Sequence, residues 1–334
     1  MIGIDLTVIW AVIIASSIMG YVVLDGFDLG IGILFLRLDS VEERDIATNS
    51  IAPVWDGNET WLVLGGGGLL AAFPLAYAII LPALYAPLIA MLLGLVLRGV
   101  AFEFRHRDPG HKAIWDVAFS AGSTIAALCQ GIALGALLQG ISVTGRGYSG
   151  GWWEWLSPFS LLCGASLIVG YALLGSCWLI YKTQGALQNK TFALAKLLGM
   201  LLVLAIALVS LATPFLEAKY YMRWFSAPSI YFAALVPLAV AFCAYRLWQS
   251  LTRRKELAPF LYTLALFGLC FAGLAISIWP DVIPGRVTIW QAATDYKSQV
   301  FMIFGVGLML PIIIAYTALS YWVFRGKATK EGYH

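Results

Sequence analysis

Acidic side chains set inside apolar stretches are the residues of this sequence best placed to do chemistry. Asp25 and Asp28 lie three apart in Asp25-Gly26-Phe27-Asp28-Leu29-Gly30, a spacing that puts both on one face of a helix. Asp56 and Glu59 repeat the spacing in Trp55-Asp56-Gly57-Asn58-Glu59, Arg98 and Glu103 follow in a third apolar stretch, and Asp116 opens a fourth. A charge at the centre of a membrane helix costs about 2.5–3.5 kcal/mol on insertion scales, so these residues need a reason. Carboxyls in a partly desolvated cavity can take up and release protons, and Arg98 would supply a compensating positive charge. Asp25, Asp28, Asp56, Glu59 and Arg98 together therefore suggest a proton path, or a water-filled cavity opening to one side. A structural reading stands beside it. Asp56 and Glu59 could cap a helix as N-cap and N3 acids, Asp116 could cap the next one, and Glu103 could sit solvated at the interface. Asp25 and Asp28 could form a static ion pair with Arg98.

Other chemistries find little support. His106, His111 and His334 all lie outside the apolar stretches. Intramembrane haem is normally held by His, in some proteins together with Met or a carboxylate, so no catalytic haem ligand is expected in this chain. Cys129, Cys163, Cys177, Cys243 and Cys270 all fall in apolar surroundings without a CxxC pair, which argues against a zinc site or redox dithiol. They read as small buried hydrophobes. The four-glycine run 65–68 has no Lys-Ser/Thr after it, so it is not a phosphate loop. With Gly26, Gly30 and Gly32 it reads as close helix packing.

These residues must be positioned by membrane helices. The chain of 334 residues is 61% hydrophobic and 12% charged, about half the charge content of a soluble domain. Nine apolar segments are long enough to cross a bilayer: 6–36, 51–73, 75–104, 114–140, 158–183, 192–216, 229–251, 259–279 and 300–324. Backbone polar groups cannot go unpaired in lipid, so the segments must be helices, and the alternation of outer-membrane strands is absent. The expected fold class is all-α and polytopic. The N-terminus lacks the basic region of a signal peptide, so segment 6–36 reads as an uncleaved first span. The net charge of +3 comes without a basic run, which excludes nucleic acid as a partner.

Loop charges orient the bundle. The loops after odd-numbered spans and the C-terminus carry thirteen Lys and Arg, among them Arg44, Arg105, Lys112, Lys182 and Lys327; the remaining loops carry five. By the positive-inside rule the N-terminus faces out and the C-terminus faces the cytoplasm. Trp152, Trp153 and Trp155 cluster in an outward loop, as an interfacial belt would. Both acid pairs then lie toward the cytoplasmic side. Ile18-Met19-Gly20-Tyr21-Val22-Val23-Leu24 resembles Ile168-Val169-Gly170-Tyr171-Ala172-Leu173-Leu174, four spans later and pointing the same way. Two parallel four-helix units, 1–141 with the polar motifs and 142–280, would then be followed by an outward loop and peripheral ninth helix, 281–334. Chance similarity between apolar helices is the alternative.

The segments GYVVLDGFDLGIGIL and NSIAPVWDGNETWLV resemble the first and second helices of subunit II of cytochrome bd-type quinol oxidases. The resemblance continues through 97–105, Trp115-Asp116, the Gln139-Gly140 turn, Trp279-Pro280 and the loop 288–293, and so covers nearly the whole chain. It implies a subunit of a complex that reduces dioxygen to water with electrons from quinol. Haems b and d and the quinol-oxidation site would belong to a haem-bearing subunit I. Subunit II would complete a pseudo-symmetric heterodimer in the bacterial inner membrane, bring protons from the cytoplasm, and offer a route for oxygen. Asp25, Asp28, Asp56 and Arg98 match the family's polar path, and Trp61 matches the tryptophan beside the oxygen route. Some members carry a structural quinone in this subunit, and small single-helix subunits accompany some complexes; no residue here decides either. The short hydrophilic loops mark a compact member. Two other readings of the residues remain: a proton-coupled secondary transporter, from the repeat and the intramembrane acids, and a purely scaffolding subunit.

Overall fold

A computed structural model describes residues 5–330. Helices dominate, in the order α1 (Leu6–Leu34), α2 (Val41–Asn49), α3 (Trp55–Ala72), α4 (Pro74–Ala83), α5 (Tyr85–Arg107), α6 (Lys112–Leu138), α7 (Pro158–Lys182), α8 (Gly185–Ala212), α9 (Ala218–Phe225), α10 (Ser229–Ala233), α11 (Leu235–Thr252), α12 (Ala258–Ile278), α13 (Ile289–Ala292) and α14 (Tyr296–Val323). The strands are confined to two short hairpins in loops, β1–β2 (Val143–Thr144 with Gly147–Tyr148) and β3–β4 (Asp281–Ile283 with Val287–Thr288). Polar side chains cap three of the long helices where the chain enters them. Asp5 accepts from the Thr7 and Val8 amides, Ser157 and Ser160 form a capping box on α7, and Asp295 opens α14.

Among the described residues, eight helices are long and apolar enough to cross a membrane; the bent pair α3–α4, turning by 120°, would make a ninth. This corrects the expected third span, 75–104. That stretch is two helices, broken at Leu84. Pro74 starts α4 and pushes the preceding Phe73 out of the helical region (φ −129°, ψ 60°). α4, with ten residues, is about 15 Å long and cannot cross, whereas the 23 residues of α5 reach about 34 Å and can. α4 lies against β2, β3 and α13, at the end where the Thr294 amide donates to the Ala72 carbonyl that closes α3.

The loops sort onto two faces. At one, Lys190 reaches Asp39 and Glu43, Lys327 reaches Glu256, Lys330 reaches Glu42, and the Asn49 amide donates to the Thr329 and Lys330 carbonyls. These contacts join the odd-numbered loops and the C-terminal segment at one basic face. At the opposite face Trp290 donates to Asp5 at 2.7 Å, Lys219 pairs with Asp281, and Tyr85 meets Trp152.

Glycines set the closest helix approaches. A Cβ at Gly30 of α1 would fall on the Tyr171 carbonyl of α7, and one at Gly175 on the Gly30 backbone. α5 and α6 meet in the same way at Gly94 and Gly122, and α6 and α7 at Gly131 and Gly164. The four-glycine run is only half explained by packing. Gly65 and Gly68 face Ile18 and Ile14, but Gly66 and Gly67 have nothing within 4 Å. Cys129, Cys163 and Cys177 are buried as expected, Cys243 is partly so, and Cys270 is exposed on the outer wall.

Candidate functional site

α1 carries both mid-helix acids into the centre of the bundle. Asp25 is 0% and Asp28 1% exposed, on the face turned toward α3, α5 and α6. α5 supplies Arg98, 1% exposed. The glycine contact with α6 brings its backbone close: a Cβ on Gly122 would lie 2.8 Å from the Arg98 nitrogen. Arg98 Nη1 donates to Asp25 Oδ1 at 2.7 Å, and Nη2 lies 3.0 Å from Glu59 Oε1. The second contact is an ion pair without hydrogen-bond alignment, because both atoms lack a hydrogen-bond partner. The Trp55 ring stands 5.8 Å from the guanidinium, a cation–π contact in a low-dielectric setting.

Asp28 is held differently. No cation pairs with it among the described residues. Asn58 Nδ2 donates to Asp28 Oδ2 at 2.7 Å and to the Leu24 carbonyl at 3.2 Å, and Tyr321 of α14 donates to Asn58 Oδ1 at 2.9 Å. Oδ2 of Asp25 and Oδ1 of Asp28 are buried without a partner, although buried polar atoms are usually paired. On the other side of Asp25, one turn back along α1, Tyr21 accepts from Gln130 Nε2 at 2.8 Å, and Tyr171 donates to Gln130 Oε1 at 2.7 Å. The two tyrosines of the repeated Gly-Tyr motif thus share one glutamine.

The structure therefore brings together Asp25, Asp28, Glu59 and Arg98, and leaves Asp56 at the rim. Asp56 is exposed and lines a notch of about 70 Å³ between α3 and α14, with Asn58, Ser320 and Tyr321. Neither it nor Glu59 caps α3: the N-cap is Val54, with no side-chain hydrogen bond. Trp61 packs its ring on Gly20, and its indole nitrogen is buried without an acceptor. Sequence reasoning passed over Asn58, Tyr321, Tyr21, Gln130 and Tyr171. Asn58 had a signal, since it sits inside the acidic motif beside Glu59. Tyr321 had none, because nothing local distinguishes it from the aromatics around it in α14.

A second polar cluster lies nearer the basic face. Arg105, 0% exposed, donates from Nε to Asp116 Oδ1 at 2.6 Å and from Nη1 to Asp45 Oδ1 at 2.5 Å. Arg44 reaches Asp116 Oδ2 at 2.8 Å and the Leu38 carbonyl. Asp116 is thus not a cap. α6 begins at Lys112, and Asp116, buried in its second turn, holds two arginines. Burial pushes the Asp45 carboxyl up, but the Arg105 hydrogen bond and charge and the Lys112 charge outweigh it, leaving Asp45 below its ordinary value. Glu103 is exposed beside Arg107, as its interfacial reading required. His106 and His111 are exposed in this region, and His334 lies outside the described residues.

The family model for cytochrome bd terminal oxidase subunit II matches residues 6–324. Subunit 2 of the cytochrome bd-I ubiquinol oxidase of Escherichia coli K12 is 30% identical over 361 residues, covering 97% of this chain and 95% of that one. Subunit 2 of the cytochrome bd ubiquinol oxidase of Bacillus subtilis 168 is 30% identical over 342 residues, covering 97% of each. A chain in the structure of the bd oxidase from Geobacillus thermodenitrificans superposes with a TM-score of 0.78 at 17% identity, over 95% of this chain and 98% of that one; at that identity the likeness speaks for the fold.

Proposed function

The chain belongs to the cytochrome bd terminal oxidase subunit II family, and from that premise we propose that its buried acids carry protons from the basic face toward the haem-bearing partner. It is a multi-pass protein of the bacterial inner membrane and a subunit of a terminal quinol oxidase, whose haems another subunit carries. Secondary transport is not favoured, because the family match spans the bundle.

The basic face is assigned to the cytoplasm by the positive-inside rule. Protons arrive at the notch beside Asp56, where Tyr321 and Asn58 form its inner wall. Asn58 links that wall to Asp28, and Asp25 and Glu59 follow, gathered by Arg98. The observation that carries this reading is the charge balance of the site: three acids gather around one arginine, and the cation holds Asp25 and Glu59 but not Asp28. An uncompensated buried carboxylate is costly, so a carboxyl that no cation holds is suited to exchanging a proton. Arg98 keeps its charge and shapes the field; it does not relay. Trp61 is assigned to the oxygen route on family analogy alone. No haem ligand is assigned to this chain. The division into units 1–141, 142–280 and 281–334 is supported by parallel packing: α1 lies on α3 and α6 as α7 lies on α8 and α12, with α1 against α7 between them.

Turnover per assembled haem tests the path, with assembly read from the haem spectrum of the purified complex. Asp28→Asn is expected to slow oxygen reduction by about tenfold, less than the 10²–10⁴ of a lost catalytic proton transfer, because water can bridge part of the gap. Asp25→Asn should slow it similarly, and Asp56→Asn by no more than about twofold, since an exposed rim acid has water beside it. Full turnover in all three leaves a scaffold role. The same spectrum, recorded with His106 and His111 replaced, should keep every haem band.

A further inference from the structure

On the far side of Tyr321 from the notch, a groove of about 310 Å³ runs between α1, α7, α12 and α14. Its walls are apolar, with Leu24 and Phe27 of α1, Trp178 of α7, and Phe260 and Leu264 of α12. The volume is at the lower end of small-molecule sites, about 300–1,000 Å³. An open groove of this size, walled by apolar side chains, has room for a flexible alkyl chain.

Charge gathers at one end, the basic face. Lys182 and Arg325 both line the groove there. The Lys182 ammonium donates to the Phe324 carbonyl at 2.5 Å and the Gly326 carbonyl at 2.6 Å, which fixes its position over the groove end. The Arg325 guanidinium rests on the Trp322 ring at 4.9 Å and is exposed; it has no acidic partner among the described residues. Glu256, next to the groove residue Leu257, is already taken by Lys327 at 2.9 Å. The groove is apolar along its length and cationic at its mouth.

We propose that it binds one anionic phospholipid of the adjoining leaflet, with an acyl chain against Leu24, Leu261 and Leu264 and the phosphate beside Arg325. Charge complementarity selects this occupant. Basic pockets between transmembrane helices hold anionic headgroups, while the acyl chain, already in hydrocarbon, gains only packing contacts in the groove. A zwitterionic lipid gains the chain contacts with little from the cations, and a neutral quinone ring makes no use of them. The inference is independent of the proton path.

The test uses the purified oxidase complex after delipidation, titrated with dioleoyl phosphatidylglycerol or dioleoyl phosphatidylcholine in mixed micelles and followed by thermal unfolding. Phosphatidylglycerol should stabilise the wild type at lower concentration than phosphatidylcholine. In Arg325→Gln the half-saturating phosphatidylglycerol concentration should rise about tenfold, the equivalent of one charge-assisted hydrogen bond. Arg325 is exposed, so this variant should assemble with an unchanged haem spectrum. Leu264→Trp fills the groove and should remove the difference between the lipids. An equal response to both lipids in the wild type, or an unchanged titration in Arg325→Gln, overturns the proposal. So does extraction from the wild-type complex of a quinone that Leu264→Trp excludes while bound phosphorus stays constant.

Discussion

Arg98 is the residue on which the acidic cluster depends. It is buried, it binds Asp25 at 2.7 Å, and it stands 3.0 Å from the partly exposed Glu59, so its removal strands Asp25 in a low-dielectric site. Breaking a buried pair by removing one partner costs about 3–5 kcal/mol. Arg98→Met should therefore abolish most of the haem-loaded complex, and adding Asp25→Leu should restore a measurable part of it, because the stranded charge is gone. A double variant that assembles no better than the single one would show that Arg98 acts through shape and not charge. Asn58 teaches a related point. It lies one residue from Glu59 on α3, yet its amide serves Asp28 of α1, so the polar residue that reaches the unpaired acid is the neutral one.

At the scale of elements, the α1–α7 seam holds the two repeats together. Gly30 and Gly175 are pressed against each other's backbones, and the seam places Tyr171 beside the acid-bearing face of α1. Gly30→Ala should destabilise the complex by about 1–3 kcal/mol or more, the range for overpacking, seen as a lower melting temperature and a lower yield of haem-loaded enzyme. Gly66→Ala on α3, which meets nothing within 4 Å, should change neither. α2 is tied to the bundle by Asp45, which grips Arg105 at 2.5 Å and Lys112 at 3.4 Å. Its carboxyl is held below the ordinary value of 3.8. A folded value below the unfolded one contributes stability that is fully present above the unfolded value and is lost as pH falls through the folded one. The melting temperature of Asp45→Asn should thus lie below wild type throughout the neutral range, and the gap should close only below about pH 3.8. A gap that closes near pH 6 would assign the tie to another group.

The whole molecule is defined by its two faces and by a bare last span, α14. Ion pairs between distant loops gather the basic residues at one face, which gives the loop-charge count a physical location. Single introduced cysteines in the loop 105–112 and near residue 327 should resist an impermeant reagent added outside intact cells and react after the membrane is opened. External labelling at either position would reverse the bundle and move the proton intake to the other side. α14 turns Phe301, Phe304 and Leu308 outward, at 81%, 75% and 62% exposure, and contributes Tyr321 to the acidic cluster from its inner side. One helix thus links the chain's outer wall to its polar interior.

Much of this protein was determined by the sequence alone, for local reasons. Runs of apolar residues long enough to span lipid dictate helices wherever backbone groups must pair within the segment, and the crossings, the two-faced loops and the burial of Asp25, Asp28 and Arg98 all follow. The paired acid motifs also made the family resemblance legible. What depends on three-dimensional approach was not. Pro82 and Pro87 stand in a segment, 75–104, whose hydropathy alone reads as one span, and only the fold shows that α5 crosses unaided and α4 lies aside. Capping was a sound local reading of Asp56 and Asp116, but a carboxylate near a helix start can be drawn away by an arginine or left to water, and neighbours distant in sequence decide which. Asp116 went to Arg105 and Arg44, and Asp56 stayed at the rim. Tyr321 reaches Asn58 across 263 residues of chain, a contact that no local pattern encodes, because it exists only once α14 has packed against α3.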